Sequence, residues 1–443
     1  MPIPIESFTV TTSRLFPADV KAANYFHNHL ELIVAMVEGW QPQHAGGVAA
    51  GYTYWGQFLA HELAPRHFHG PVRSSLLDLD GVYGAGWGDP RLPLCETSGK
   101  VKLALTDSKD SDRRPLCRDL IRRGNRIVAP EPRNDENLVL AQFHVLLLRL
   151  HNGLIDFIGS EYDRTHNAKE VFAIARCIVT KVFQYLTIND YLRSICNDRI
   201  YRHIFVESNR YFYFPKNQPI PLEAVSGFLR FGHTQVREAY TINSEQTNLK
   251  LREMFTLTGM GGLNEHQQLP TDKVIDWRFF FNLGSGFQAA NVIEPHVVAM
   301  MVERIDIVRK NIAAGISAHL PSGQNLAKLL LERFPELSEL GVNGRLYLNA
   351  DQRQRLFDAG ISIETPLWIF VTLEALTAPT GSKGVKLGPL GSLLMAETIR
   401  NCVQNAEIKN AHEIVDAVIE RLNIKKMSDL ITAVAHFEQS YTK

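Results

Sequence analysis

One stretch constrains this chain more than any other. Residues 136–159, ENLVLAQFHVLLLRLHNGLIDFIG, would carry apolar side chains on almost every face of a helix. Such a helix is stable only where neighbours surround it, so it predicts the centre of a helical body. AKEVFAIARCIVTKVFQYLTINDYL (168–192) predicts a second long helix, and 288–315 one or two more. Shorter helices are expected near 322–333, 351–358, 365–376, 389–405, 411–422 and 427–438. The best strand candidate is RYFYF at 210–214. Residues 65–135, 261–272 and 378–392 read as loops on the helical body, being punctuated by Gly and Pro. The expected fold class is mainly α, one large helical domain with very little β.

Composition agrees with a large core. Of 443 residues, 45% are hydrophobic and 21% charged, which excludes a disordered chain. Lys+Arg and Asp+Glu both number 47, so the formal net charge is zero. A neutral chain lacks the basic field of a general nucleic-acid binder, so no nucleic acid is expected as partner. No run approaches the ~18 uninterrupted apolar residues of a transmembrane helix, so none is expected. MPIPIESFTVTTSRLF has no basic segment followed by an apolar one, so no signal peptide is expected. The five cysteines (Cys95, Cys117, Cys177, Cys196, Cys402) are odd in number and lack a C-x-x-C. They read as scattered thiols rather than a disulfide framework or zinc ribbon, which makes a cytoplasmic location the expectation.

Several polar constellations interrupt the helical pattern. Gln57 and His61 lie four residues apart in YTYWGQFLAHELAPRHFHG (52–70), so a helix places both on one face. A histidine beside an amide can take up a proton while the amide holds a small polar ligand. A satisfied core histidine is the plain alternative. His61-Glu62 opens a zincin-like H-E-x-x-H, but Pro65 replaces the second histidine and breaks the helix, which argues against a metalloprotease. His67 and His69 allow a small metal pair or solvated loop histidines. SSLLDLDGVYG (74–84) alternates Asp78 and Asp80 beside Ser74 and Ser75. Its oxygens suit a hard cation, or a plain Asx-type turn, without the twelve-residue pattern of an EF-hand.

Arg133 precedes the central helix, where Asp135 and Glu136 suit the first turn. It reads either as a cap or as a guanidinium aimed into a pocket. His144 and His151 are seven apart on that helix and read as core histidines with local partners. Arg230 and His233 are three apart in SGFLRFGHTQVREAY (226–240), and Gly232 lets something bulky approach the backbone. Within such a set, His233 is a candidate axial ligand for haem iron. Asp306 and Arg309 share a helical face, and read by themselves as an exposed ion pair.

In this order, from about residue 50 to about residue 400, the blocks resemble the animal-type haem peroxidases of the peroxidase–cyclooxygenase superfamily, in particular their compact bacterial branch. The resemblance rests on Trp55-Gly56-Gln57-Phe58-Leu59-Ala60-His61, Leu77-Asp78-Leu79-Asp80-Gly81-Val82-Tyr83-Gly84 and Pro132-Arg133-Asn134-Asp135-Glu136-Asn137. Leu148-Arg149-Leu150-His151-Asn152, Arg230-Phe231-Gly232-His233-Thr234 and His319-Leu320-Pro321-Ser322-Gly323-Gln324 extend it. Thr365-Pro366-Leu367-Trp368 and Leu387-Gly388-Pro389 are similar to the bacterial branch.

The resemblance implies haem b held between central helices and a catalytic domain over 49–405. Residues 1–48 form an unassigned extension, and 406–443 form C-terminal helices packed on the same domain. It implies that His61 is the distal histidine, Gln57 the distal glutamine and Arg133 the distal arginine. His233 becomes the iron ligand, and Arg230 the arginine that contacts the haem beside it. Asp306 falls where the family usually has Asn, as partner of the proximal imidazole. Ser74, the Leu76 carbonyl, Asp78 and Asp80 match the calcium loop, with Glu62 where the family often has Asp. Ala60 stands where several animal enzymes have an esterified Asp, so that link is absent, whereas Glu136 matches the other ester position. Asn137 replaces the Met of a sulfonium link. The implied activity is reduction of hydrogen peroxide with oxidation of a small organic donor or a halide. A fatty-acid dioxygenase or a metabolite-tailoring oxidase on the same scaffold is the alternative. Those dioxygenases use a Tyr three residues before the proximal histidine, and Arg230 occupies that position here. A non-catalytic haem-binding or helical interaction protein is a third reading. It is opposed by the joint presence of Gln57, His61, Arg133 and His233.

Overall fold

The computed structural model describes residues 14–42, 46–64, 73–95, 102–109, 115–161, 167–214, 220–284, 286–379, 382–406, 408 and 411–441. Pro65, His67 and His69 lie outside the described residues.

The apolar stretch forms one helix, Leu138–Glu161, buried on nearly all sides. Asn137 starts it: its Oδ1 accepts from Leu140 N at 3.0 Å, satisfying a donor that has no partner within the helix. Leu138, Val139, Leu140, Phe143, Leu150 and Leu154 are each at most 1% exposed. Full burial of each such large side chain contributes about 1.5–3 kcal/mol. The Ala168–Leu186 helix packs beside it, opened by an Asn167–Glu170 capping box. It runs on as a π-turn over Thr187–Leu192, where Thr187 Oγ1 turns back to donate to Phe183 O at 2.8 Å. By length and composition, Leu138–Glu161 and the run Ala168–Ile195 could each cross a membrane. Yet 83% and 61% of their most apolar windows are buried in the protein, which makes them core helices.

Further helices layer on this centre. Met427–Tyr441 lies along Leu138–Glu161, with Phe437 5.8 Å from Phe157 between ring centroids. Gly153 permits that approach, because a Cβ there would sit 2.5 Å from the Phe437 ring. Leu367–Thr377 and Pro389–Ala406 form a buried pair. Glu374 of the first accepts from Leu390 N and Gly391 N of the second, each at 3.0 Å, and so caps its start. Val20–Asn28 and Leu30–Glu38 pack on Ile307–Ser317 and draw the N-terminal region into the same body.

Among the described residues, strands occur only as three two-stranded antiparallel hairpins: Thr106–Lys109 with Pro115–Asp119, Arg122–Arg123 with Arg126–Ile127, and Ala239–Tyr240 with Leu249–Lys250. The strand expected at 210–214 is not formed. Its amides are met by side chains instead: Tyr211 N and Phe212 N donate to Glu397, and Phe214 N to Asn401. The one or two helices expected within 288–315 are two, Ala299–Ile305 and Ile307–Ser317, divided at Asp306, whose φ of 53° is left-handed.

Candidate active site

The helix Gly51–Leu63 presents Gln57 and His61 on one face, as their spacing predicts. Most of this helix is buried, while Tyr52, Gly56, Gln57 and Ala60 stay partly accessible. Gly56 sits against Tyr191, whose Oη would be 2.5 Å from a Cβ at that position. Both ends of the Gln57 amide are engaged: Nε2 donates to Glu136 Oε2 at 3.1 Å and Oε1 accepts from Asn137 Nδ2 at 3.0 Å. His61 Nε2 faces Glu136 Oε2 at 3.7 Å. His61 Nδ1 lies 3.0 Å from Asn134 Oδ1, and Asn134 Nδ2 lies 3.3 Å from His144 Nδ1. Burial, then the charge of Arg133, pushes the His61 pKa down to about 3, so the ring is neutral over the physiological range.

Arg133 is placed differently from expectation. Its Nε and Nη2 bind Glu131 at 2.8 and 2.6 Å, and Nη2 also donates to the carbonyls of His61 at 3.2 Å and Ala64 at 3.0 Å. The guanidinium therefore caps the C-terminus of the His61 helix, where orphan carbonyls and the helix dipole favour a cation. Nη1 is the one Arg133 nitrogen group without a partner among the described residues, and of the two readings of the sequence the hydrogen bonds are those of a cap.

The 3₁₀ segment Phe228–Gln235 carries Arg230 and His233 and packs against the Gly51–Leu63 helix. His233 Nδ1 lies 3.0 Å from Asn311 Oδ1, and the same oxygen accepts from Arg230 Nη1 at 3.1 Å. Trp368 Nε1 fixes the Arg230 carbonyl at 3.1 Å. Burial, followed by the Arg230 charge, pushes the His233 pKa down to about 4. His233 Nε2 has no hydrogen-bond partner among the described residues, and open space surrounds the Cβ direction of Gly232.

Asp306 does not fill the role expected of it. Its side chain is 52% exposed and pairs with Arg309 at 3.5 Å. It precedes the first turn of the Ile307–Ser317 helix, whereas Asn311 lies inside that helix on its buried face. Asn311, not Asp306, is the partner of His233 Nδ1. Of the two histidines on the central helix, His151 meets Tyr83 Oη at 3.1 Å, as a core histidine does, while His144 joins the His61 network.

The oxygen-rich loop also folds toward the His61 helix. Ligand atoms of Glu62, Asp78 and Asp80 converge within 4.8 Å of one another. Ser74 Oγ donates to Asp78 at 3.2 Å, and Ser74 N to Asp80 at 2.6 Å. The Leu76 amide donates to Ser74 Oγ at 3.2 Å. Arg73, unremarked in the sequence, enters the cluster through Glu62 at 3.1 Å, Asp80 at 2.8 Å and Glu131. Burial raises the carboxyls of Glu62 and Asp78, and in both the neighbouring Asp80 charge adds to the rise. For Glu131 the bonds and charges of Arg133 and Arg73 outweigh burial and hold its carboxyl below the usual range.

A stability consequence follows from His144, whose pKa burial pushes down to about 4. Its unfolded value is about 6.5. The unfolded chain therefore takes up this proton first as pH falls. The neutral side chain's contribution is complete above about pH 6.5 and is lost progressively toward pH 4. The difference in unfolding free energy between wild type and His144→Gln is expected to shrink by about 1.4 kcal/mol per pH unit across that window. Urea titrations at several pH values measure this, and a constant difference would contradict it.

Comparison with known proteins fits this geometry. The family model for Animal haem peroxidase matches residues 71–276. No curated protein sequence matches the chain. Among solved structures, Peroxidase A from Dictyostelium discoideum aligns with TM-score 0.56 and 14% identity over 91% of this chain and 88% of its own. A variant of the fatty acid alpha-dioxygenase of Oryza sativa, solved with palmitic acid, aligns with TM-score 0.60 and 13% identity over 96% and 81%. The Arabidopsis thaliana fatty acid alpha-dioxygenase aligns with TM-score 0.56 and 11% identity over 96% and 76%. At these identities the likeness concerns the fold. Residues 71–276 thus resemble the animal haem peroxidases, and the mainly helical fold is shared with a peroxidase and with fatty acid alpha-dioxygenases.

Proposed function

We propose that this chain is a haem-dependent peroxidase, reducing hydrogen peroxide on the His61 side of a haem b ligated by His233 and oxidising a small organic donor. The observation that carries this reading is a pair of neutral imidazoles on packed elements, each bound at Nδ1 and directing Nε2 elsewhere. The donor set suits haem: His233 Nε2 is unpartnered, Gly232 leaves space beside it, and Arg230 adds a cation for an acidic edge. Haem, when bound, supplies the two-electron oxidising chemistry.

The protein's own work is positional and electrostatic. His61 Nε2 accepts a proton from one peroxide oxygen and returns it to the departing oxygen, a role typically worth about 10²–10⁴-fold. Gln57, fixed at both ends of its amide, orients the peroxide beside that nitrogen. The Arg133 charge favours negative charge developing in the pocket. Asn311 Oδ1, shared with Arg230, draws less negative charge onto His233 than the carboxylate of Asp306 would have done. Glu136, 3.7 Å from His61 Nε2, would be the carboxylate of a single ester link. With Ala60 at the other ester position, organic donors are favoured over halides.

Calcium fits the acidic cluster by charge. Three carboxylates, Glu62, Asp78 and Asp80, bring ligand atoms within 4.8 Å of one another, and Arg73, bound to Glu62 and Asp80, offsets only part of their charge. One dication with oxygen ligands from Glu62, Ser74, Leu76, Asp78 and Asp80 would balance the rest. Chelation is expected to lower the melting temperature by several degrees, and added calcium to restore it. No change on chelation of calcium-loaded protein would contradict this assignment.

The shared fold makes a fatty-acid dioxygenase the second reading. Haem-loaded protein should consume peroxide in the presence of guaiacol and leave palmitic acid untouched under dioxygen. Oxygen uptake with palmitic acid and no turnover of peroxide would replace the peroxidase reading by the dioxygenase one.

A further inference from the structure

Asn134 lies between two buried histidines, 3.0 Å from His61 Nδ1 through Oδ1 and 3.3 Å from His144 Nδ1 through Nδ2. An amide oxygen can only accept and an amide nitrogen can only donate. With Oδ1 toward His61, the proton of the neutral ring is on Nδ1 and the lone pair on Nε2. With Nδ2 toward His144, Nδ1 of that ring is the acceptor and its proton is on Nε2. We propose that Asn134 is a positioning residue that locks His61 in the tautomer with an unprotonated Nε2, and that His144 keeps the Asn134 amide from turning over.

The consequence of a turned amide shows why the second histidine matters. Nδ2 would then donate to His61 Nδ1, the His61 proton would move to Nε2, and the base would be lost. That flip would leave Oδ1 facing His144 Nδ1, two acceptors in a buried site, at a cost of about 1–3 kcal/mol. His144 could relieve it only by exchanging tautomers itself. Asn134, His61 and His144 are 0%, 6% and 1% exposed, so water does not compete for these bonds.

The same short turn, Pro132–Asp135, grips His61 twice. Arg133 Nη2 holds its carbonyl at 3.2 Å, and Asn134 holds its Nδ1. Glu131 anchors the turn by accepting from Arg133 N at 3.1 Å. Backbone and ring of the histidine are thus fixed by adjacent residues of one element, which sets ring orientation as well as tautomer.

This inference rests on the peroxidase reading for its kinetic arm but not for its structural one. The full chain, labelled with ¹⁵N-histidine and loaded with diamagnetic zinc porphyrin, reports tautomers through two-bond ¹H–¹⁵N correlations. A His61→Gln variant assigns the signal. Wild type is expected to show His61 protonated at Nδ1. Asn134→Leu should move a substantial fraction to the Nε2-protonated form, and lower kcat/KM for peroxide about 10–100-fold in the iron-haem protein with its Soret band unchanged. N134D, which still accepts from Nδ1, should recover the tautomer and most of the rate. Should N134L not fold, His144→Leu is expected to give a mixture of His61 tautomers. An unchanged tautomer in the folded variant, or kcat/KM within twofold of wild type, would overturn the proposal. Absence of peroxide turnover in wild type would instead refute the peroxidase reading and leave the tautomer result to stand by itself.

Discussion

A His233→Ala variant is expected to lose haem. Removing a hydrogen-bond partner behind a metal ligand commonly costs 10–100-fold in affinity, roughly, and removing the ligand itself should cost more. The accompanying pair of variants is more diagnostic. Asn311→Leu, which strips the acceptor at 3.0 Å from His233 Nδ1, is expected to weaken haem binding about 10–100-fold. Asp306→Ala, altering a side chain 52% exposed beside Arg309, is expected to leave binding unchanged. Haem titrations followed at the Soret band measure all three. Equal losses for Asn311→Leu and Asp306→Ala would contradict the assignment of Asn311.

His61→Ala carries the second large effect. The variant keeps His233 and its partners, so haem binding and the Soret band should persist. Peroxide reduction should fall about 10²–10⁴-fold, the usual worth of a positioned acid–base group, or about 3–5 kcal/mol of barrier. Stopped-flow mixing with peroxide gives the rate directly. A rate unchanged from wild type would remove His61 from the chemistry.

Much of this architecture was legible in the chain because periodicity reports burial. The 136–159 stretch could only be a surrounded helix, and Leu138–Glu161 is one. Gln57 and His61 at a spacing of four could share a helical face, and they do. The expected strand at 210–214 failed because aromatic composition shows β tendency but not whether a partner strand exists. Here the helix Pro389–Ala406 supplies Glu397 and Asn401 to the same amides. The helices at Val20–Asn28 and Leu30–Glu38 went unassigned, although Asp19 carries a cap signal, its side chain accepting from Ala22 N at 2.9 Å.

The site was legible in its residue types but less so in its partnerships. Place along the chain points to Asp306, whereas helical phase points to Asn311. Ile307, Val308 and Ile312 are apolar and buried, and Asn311 falls on the same stripe, while Asp306 lies before the first turn. A polar residue amid such a stripe is a signal for a buried partner. Arg133 is ambiguous in sequence because capping and pocket roles both need a fixed cation near a helix end, and only the fold brings the carbonyls of His61 and Ala64 within reach. Arg73 and Glu131 gave no spacing signal, since their pairing depends on how the loop returns to the His61 helix.

The most direct test of the account is the ultraviolet–visible spectrum of the haem-loaded protein before and after one equivalent of hydrogen peroxide. The account predicts a Soret band that shifts within the mixing time and returns when a phenolic donor is added. A Soret band that peroxide does not move would contradict the roles of His61 and Arg133. No Soret band after haem addition would contradict His233 as the ligand, and with it the proposed function.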